Sequence, residues 1–373
     1  MAYYLEDQLN GLAIGARRPT INEYFLSSYT MSVYDGCEFG CPYCDGWAYR
    51  VRPFNETVRI AVDLPERAAD ELQTIDRGDL IGITALTDPY QPVEATYRLT
   101  RQLLGLFAER GQPCLLLTKS HTVLEDLVLL ERINAQSLAI VMFTLLTVDP
   151  YIAARLEDKA SAPSLRLDAI QVLKRAGIPV GVALIPVLPY VNDTDLLLNA
   201  TLRAIAEAGA DFVVWDYLHI PTERHRARIG EILQRIGSYP PNYYRDLYRG
   251  STAPALIASS GTAALPNATY RTERDGELLA RCDALNLPVR APHHLYAGKL
   301  KPTNEAALLL KHTASRDAVQ GRAHMAALGQ ELAALVYDDA ADDAALRQSP
   351  LYPTLQEILK PRAEEVGGFE DGG

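Results

Sequence analysis

From about residue 30 to 216 the chain repeats one rhythm: a short β-branched or apolar run, a longer stretch of helical period, then a glycine before the next apolar run. That alternation constrains the fold more than any other feature, since β-strands spaced by helices build β-α units and a parallel sheet. Strands are expected near residues 31–35, 80–85, 114–118, 138–145, 179–185 and 211–215, with helices over 93–110, 121–134, 164–176 and 193–208. Gly111, Gly177 and Gly209 stand at the helix ends as C-terminal stop signals. Periodicity alone leaves two α/β topologies open, a doubly wound open sheet and a partial barrel.

After Asp216 the rhythm is lost. A basic stretch covers 219–235 and a tyrosine-rich turn region 239–248, Pro and Gly punctuate the chain up to Pro302, and helices return over 303–336. This divides the chain into an N-terminal extension (1–30), a β-α core (31–216), a mixed, mostly helical C-terminal region (217–363) expected to cap the site, and an acidic, disordered tail (364–373). With 373 residues, 48% hydrophobic and 22% charged, the composition is that of a globular chain with a sizeable core, which excludes collagen, coiled coil and a disordered chain. Thirty-six Lys and Arg against 47 Asp and Glu give a net charge of −11, so attraction to a polyanion is not built into the surface and a nucleic acid is not the expected partner. The first residues, Met-Ala-Tyr-Tyr-Leu-Glu-Asp-Gln, are acidic where an export signal is basic. The longest apolar runs, 139–148 and 178–191, are too short for a bilayer, and the second is broken by Pro179, Pro186 and Pro189. A cytoplasmic protein without membrane contact is expected.

Three of the five cysteines fall within eight residues, Cys37-Glu-Phe-Gly-Cys41-Pro-Tyr-Cys44, directly after the first expected strand. Gly36 and Gly40 let this loop bend so that its thiols converge. Thiolates at that density suit zinc or an iron-sulfur cluster. A structural zinc site closes with a fourth ligand at short spacing, whereas here the next cysteine is Cys114 and no histidine precedes His121. Three ligands in one loop suggest a four-iron cluster with one iron left open; a zinc site completed from a distance is the other reading.

The sequence resembles the radical SAM superfamily, and within it the spore photoproduct lyase-like branch. The resemblance runs from about Ser32 to Trp215. It rests on Tyr34-Asp35-Gly36-Cys37-Glu38-Phe39-Gly40-Cys41-Pro42-Tyr43-Cys44, Thr87-Asp88-Pro89-Tyr90-Gln91-Pro92-Val93-Glu94 and Leu117-Thr118-Lys119-Ser120, then on Thr147-Val148-Asp149, Arg155-Leu156-Glu157 and the segment Ile185 to Asp193. It implies a partial (β/α)6 TIM-type barrel. It also implies a [4Fe-4S] cluster on Cys37, Cys41 and Cys44 whose open iron binds S-adenosylmethionine, cleaved after reduction by a flavodoxin- or ferredoxin-type partner to a 5′-deoxyadenosyl radical. By the same resemblance Thr87 and Asp88 face the methionine ammonium, Lys119 its carboxylate, Thr144 the ribose, and the Tyr43 backbone the adenine. Read alone, these residues are an Asp-Pro turn, a solvated strand-end lysine, a β-branched strand residue and a packing tyrosine.

Spore photoproduct lyases carry a hydrogen-donating cysteine two residues before the Ser/Thr-Asp pair; here that place holds Ala85. A small-molecule or peptide substrate is therefore the first expectation, with a DNA photoproduct lyase as the alternative that Ala85 and the acidic charge disfavour. Cys114 shares strand parity with Leu116 and Thr118, opposite to Lys119, and should face the helices. Tyr217 and His219, leaving the sixth strand, together with Cys282, His293 and His294 in the divergent region, are the candidates to meet substrate.

Overall fold

The computed structural model describes residues 2–49, 54–83, 87–237, 241–254 and 262–360. Six strands form its main sheet: β1 (Tyr29–Met31), β2 (Ile81–Ile83), β3 (Cys114–Thr118), β4 (Ala139–Thr144), β5 (Val180–Val187) and β6 (Phe212–Tyr217). They lie side by side in chain order, every neighbouring pair is parallel, and the two edge strands do not pair with each other. A doubly wound sheet reverses its strand order part-way. No reversal occurs here, so the sheet is the open, partial barrel.

The crossover helices α1 (Leu64–Leu72), α2 (Leu99–Arg110), α3 (Leu127–Gln136), α4 (Pro163–Arg175) and α5 (Asp195–Glu207) connect successive strands. Gly111, Gly177 and Gly209 end α2, α4 and α5 at φ of +70°, +75° and +86°, a left-handed turn that glycine enters without a Cβ clash. The helix expected over 93–110 divides into Glu94–Tyr97 and α2, because Arg98 between them sits at φ +53° and breaks the hydrogen-bond ladder. The one expected over 121–134 opens with a 3₁₀ turn, His121–Asp126, before α3. The first strand ends at Met31, four residues short of expectation, and Asp35 instead bridges Arg59. Arg59 belongs to the strand Thr57–Ala61, which pairs in parallel with Tyr3–Asp7, so the N-terminal extension is tied to the core by a small second sheet.

Side chains alternate between the two faces of the sheet. On one face Cys114, Leu116, Val141, Phe143, Val182 and Val213 pack against the crossover helices. The fully buried Cys114 is on this face, as strand parity requires. On the other, Leu115, Ile140, Met142, Ala183, Phe212 and Val214 meet residues from the C-terminal part of the chain. The helices here are α8 (Pro302–Val319) and α9 (Ala323–Tyr337), in the stretch 303–336 where the sequence predicts helices, and Gly321, at φ +75°, separates them. Two further helices in this half are α6 (Glu223–Ile236) and α7 (Ala268–Ala284). Among the described residues no helix is long and apolar enough to cross a membrane.

The second face is packed to contact at Gly181, which pairs with Phe212; a Cβ there would lie 2.4 Å from the Phe212 ring. Gly181→Ala is expected to lower unfolding stability by about 1–3 kcal/mol in urea titration, the usual cost of overpacking a closed core. An unchanged midpoint would mean that this core is loosely filled.

Candidate functional site

The cysteine loop follows β1 and bends at two glycines. Gly36 is at φ +111° and Gly40 at +54°, and a Cβ at Gly36 would stand 2.3 Å from the Thr57 carbonyl oxygen. Both are glycine because no side chain fits either the dihedrals or the space. Buried polar ties hold the loop. Gln91, 1% exposed, donates from Nε2 to the Gly36 carbonyl at 3.0 Å and accepts from the Glu38 amide at 2.8 Å. The Glu38 carboxylate in turn accepts from the Val93 amide at 2.7 Å. The Trp47 indole donates to the Cys41 carbonyl at 3.0 Å.

Tyr43 links the loop to the end of β4. Its hydroxyl donates to Glu157 Oε1 at 2.5 Å, and Glu157 Oε2 accepts from Arg166 Nη1 at 2.6 Å. The same nitrogen donates to the Thr144 carbonyl at 2.7 Å. Arg166 and Glu157 side chains are 1% and 3% exposed, so each charge depends on the other for its solvation. From the opposite side, His225 on α6 lies 3.0 Å by Nε2 from the Tyr43 carbonyl, and the Arg228 guanidinium stacks 3.6 Å above the Trp47 ring. The basic stretch thus turns one side inward onto the cysteine loop.

The three thiols open on one cavity at the C-terminal ends of the strands, which Thr87, Asp88, Lys119 and Thr144 also line. The sequence-derived cluster and cofactor positions therefore come together, Tyr43 included. Among the described residues no three His, Cys, Asp or Glu side chains are arranged to hold a metal ion, and no cysteine is in a disulfide. A cubane cluster takes its thiolates on separate irons and does not require convergence on one ion. Burial pushes the Cys41 thiol up to about 12. A thiolate is stable there only against compensating positive charge, which cluster irons would bring. Burial works to lower the Lys119 ammonium, but the facing Cys41, Glu157, Asp88 and Cys44 groups outweigh it and hold its pKa above the usual value. Among the described residues that ammonium is in no ion pair, a disposition suited to a ligand carboxylate.

The side chains of Thr87 and Asp88 are occupied by the protein itself. Thr87 Oγ1 donates to the Tyr34 carbonyl at 3.0 Å. Asp88 Oδ1 accepts from Thr118 Oγ1 at 2.7 Å and from the Tyr90 amide at 2.9 Å, and its Oδ2 from the Lys119 amide at 2.7 Å. Burial raises the Asp88 pKa above the usual carboxylate value. Thr87 thus ties the segment after β2 to the one after β1, and Asp88 ties it to the end of β3, so both side chains are committed to the protein. Ala85 lies outside the described residues.

Of the substrate candidates, Tyr217 and His219 line the cavity; the other three do not. Cys282 has no exposure and packs in the helix-side core from α7, where burial pushes its thiol up to about 12. Its helix position carries it into the core and away from the lining of this cavity. His293 and His294 begin a short helix, His293–Tyr296, that packs with the second core; His293 Nε2 is 2.8 Å from Glu305 Oε1 on α8. His294 beside it is exposed, and neither histidine lines the cavity. His219 differs: Nε2 is 3.3 Å from Asp216 Oδ2, yet neither ring nitrogen has a hydrogen-bond partner.

An open parallel (β/α)6 array with a three-thiol loop at its strand ends defines the radical SAM class of protein. The family model of the Radical SAM superfamily matches residues 31–221, just over half of the chain, and the chain belongs to that family. An uncharacterised protein of Mycobacterium tuberculosis (strain ATCC 25618 / H37Rv) is 28% identical over 254 residues, covering 61% of this chain and 73% of that protein. The radical SAM Nα-GlyT isomerase of Pseudomonas phage M6 is 24% identical over 254 residues, covering 68% and 51% of the two chains. Spore photoproduct lyase complexed with dinucleoside spore photoproduct has the same fold, with a TM-score of 0.56 at 13% identity over 76% of this chain and 79% of that one.

The His225 contact carries a pH dependence. Burial lowers its pKa from 6.5 to about 4, because the proton would go to Nδ1, which is buried without a partner. A histidine depressed on folding binds more protons when unfolded, so stability falls as pH drops from 6.5 to about 4 and levels off below. The stability difference between the natural chain and His225→Gln should shrink by up to about 3 kcal/mol over that window in urea unfolding. A pH-independent difference would contradict the buried neutral imidazole.

Proposed function

We propose that this chain is an enzyme in which Cys37, Cys41 and Cys44 hold a [4Fe-4S] cluster and S-adenosylmethionine completes the site, so that hydrogen is abstracted from a small-molecule or peptide substrate. When bound and reduced by a flavodoxin- or ferredoxin-type partner, the cluster and cofactor supply one-electron cleavage of a carbon-sulfur bond and a primary carbon radical. The chain's own residues orient the parts. Lys119 pairs the methionine carboxylate, and the clamped Thr87-Asp88 backbone accepts from its ammonium. The Thr144 hydroxyl meets the ribose at a strand end that Arg166 fixes through its carbonyl, and the Tyr43 backbone meets the adenine edge. Tyr217, at the end of β6, and His219 just after it line the same cavity, which supports their meeting substrate.

The single observation that supports this reading is that three thiols and the Lys119 side chain, which among the described residues is in no ion pair, line one cavity at the C-terminal strand ends. The isomerase named for the phage relative supports a rearrangement as one outcome such a site can serve. Anaerobic reconstitution should give about four iron and four sulfide per chain, and reduction with S-adenosylmethionine should yield 5′-deoxyadenosine. Cys41→Ala should lose the cluster. Lys119→Ala should keep the iron and require about tenfold more cofactor, the loss of roughly 1.4 kcal/mol of binding. Stoichiometric zinc without iron would reject the proposal in favour of a structural metal protein.

A further inference from the structure

A second cavity lies beside the first, and Tyr217 lines both. The consecutive residues Phe25 and Tyr24 likewise face one cavity each. This second cavity gathers three guanidinium groups, Arg271, Arg290 and Arg316, from α7, the segment after it, and α8. Its carboxylates are already engaged. Asp275 Oδ1 accepts from the Trp215 indole at 2.7 Å and the Tyr217 hydroxyl at 2.6 Å, and Asp216 takes the Tyr217 amide at 2.7 Å with His219 beside it.

The guanidiniums are matched less completely, Arg290 among the described residues only by one long ion pair with Glu23. Arg290, its side chain 11% exposed, lies 4.2 Å from the Tyr24 ring centroid, and its nearest carboxylate oxygen, Glu23 Oε1, is 3.6 Å away and also accepts from Ser315. Arg290 Nε and Nη1 and Arg271 Nε are buried without hydrogen-bond partners. Among the described residues neither Arg271 nor Arg316 forms an ion pair. Buried guanidinium donors left unmet, here on Arg271 and Arg290, are costly unless an anion meets them, and the planar forks of guanidiniums match carboxylate and phosphate oxygens. On a chain of net charge −11 such a concentration is not a consequence of general surface charge.

We infer that this cavity is an oxyanion subsite, holding the carboxylate or phosphate group of the substrate on the far side of Tyr217 from the cofactor. Its assignment to substrate rests on the proposed function above. The binding site itself does not. Calorimetric titration of the reconstituted protein with inorganic phosphate and with acetate, at neutral pH and constant ionic strength, tests it. Saturable one-to-one binding of at least one is expected, tighter phosphate marking a phosphate ester and acetate alone a carboxylate. Arg271→Gln with Arg290→Gln should weaken binding about tenfold or more, and Arg316→Gln, an exposed position that leaves the core intact, about threefold. Arg245→Gln, on a side chain 66% exposed elsewhere, should change nothing. Absence of saturation by either anion up to about 50 mM, or equal binding by the three arginine variants, overturns the subsite. If 5′-deoxyadenosine still forms in that case, the proposed function stands without it.

Discussion

Everything in this molecule depends on burying both faces of one six-stranded parallel sheet. One set of alternate residues packs on the crossover helices, which holds the strands in order and brings their C-terminal ends into a row. The opposite set is covered by α8, α9 and their neighbours, but only as far as Leu117 and Ile185. Those two residues pack on that second core and also line the cavity, so they form its floor. A parallel sheet is stable only with both faces covered. Here the cover stops where the site begins, and at roughly 1.5–3 kcal/mol for each large apolar side chain buried the two cores supply the rigidity that a cofactor site needs.

On that base, a loop with little regular structure is fixed by groups that cannot be left unpaired. Gln91 satisfies the backbone of 36 and 38, Trp47 that of Cys41, and His225 that of Tyr43. The Tyr43–Glu157–Arg166 chain continues to the carbonyl of Thr144. Removing one member of such a buried ion pair typically costs about 3–5 kcal/mol, because the remaining charge has no solvent. The thiols and the end of β4 are thus set relative to each other by a single network, which links fold stability to the geometry available for chemistry.

Much of this is legible in the residues. Local patterns carry the β-α rhythm, the C-x3-C-x2-C spacing, the glycines at 36 and 40 and the outward parity of Cys114, and each is decided within a few residues of the chain. What is decided by distant packing is not. The break at Arg98 depends on one residue taking a left-handed conformation that its type does not favour. His225 and Arg228 look like members of a solvated basic helix; their inward role could be found only in the shared spacing of His225, Ile229, Ile232 and Leu233 behind the Thr222 cap. Cys282 and the His293-His294 pair share residue type with functional sites, but their positions on core-facing elements could not be read without the fold. Thr87 and Asp88 show a subtler case: they line the cavity, but their side chains are committed to neighbours.

The central claim is that the cavity at the strand ends holds a cluster with one iron open to S-adenosylmethionine. Electron paramagnetic resonance of the reconstituted, reduced protein tests it most directly. The expected result is a [4Fe-4S]⁺ signal whose g-values shift on addition of S-adenosylmethionine, saturating at one cofactor per cluster and needing about tenfold more cofactor in Lys119→Ala. A cluster signal that is indifferent to S-adenosylmethionine would contradict it.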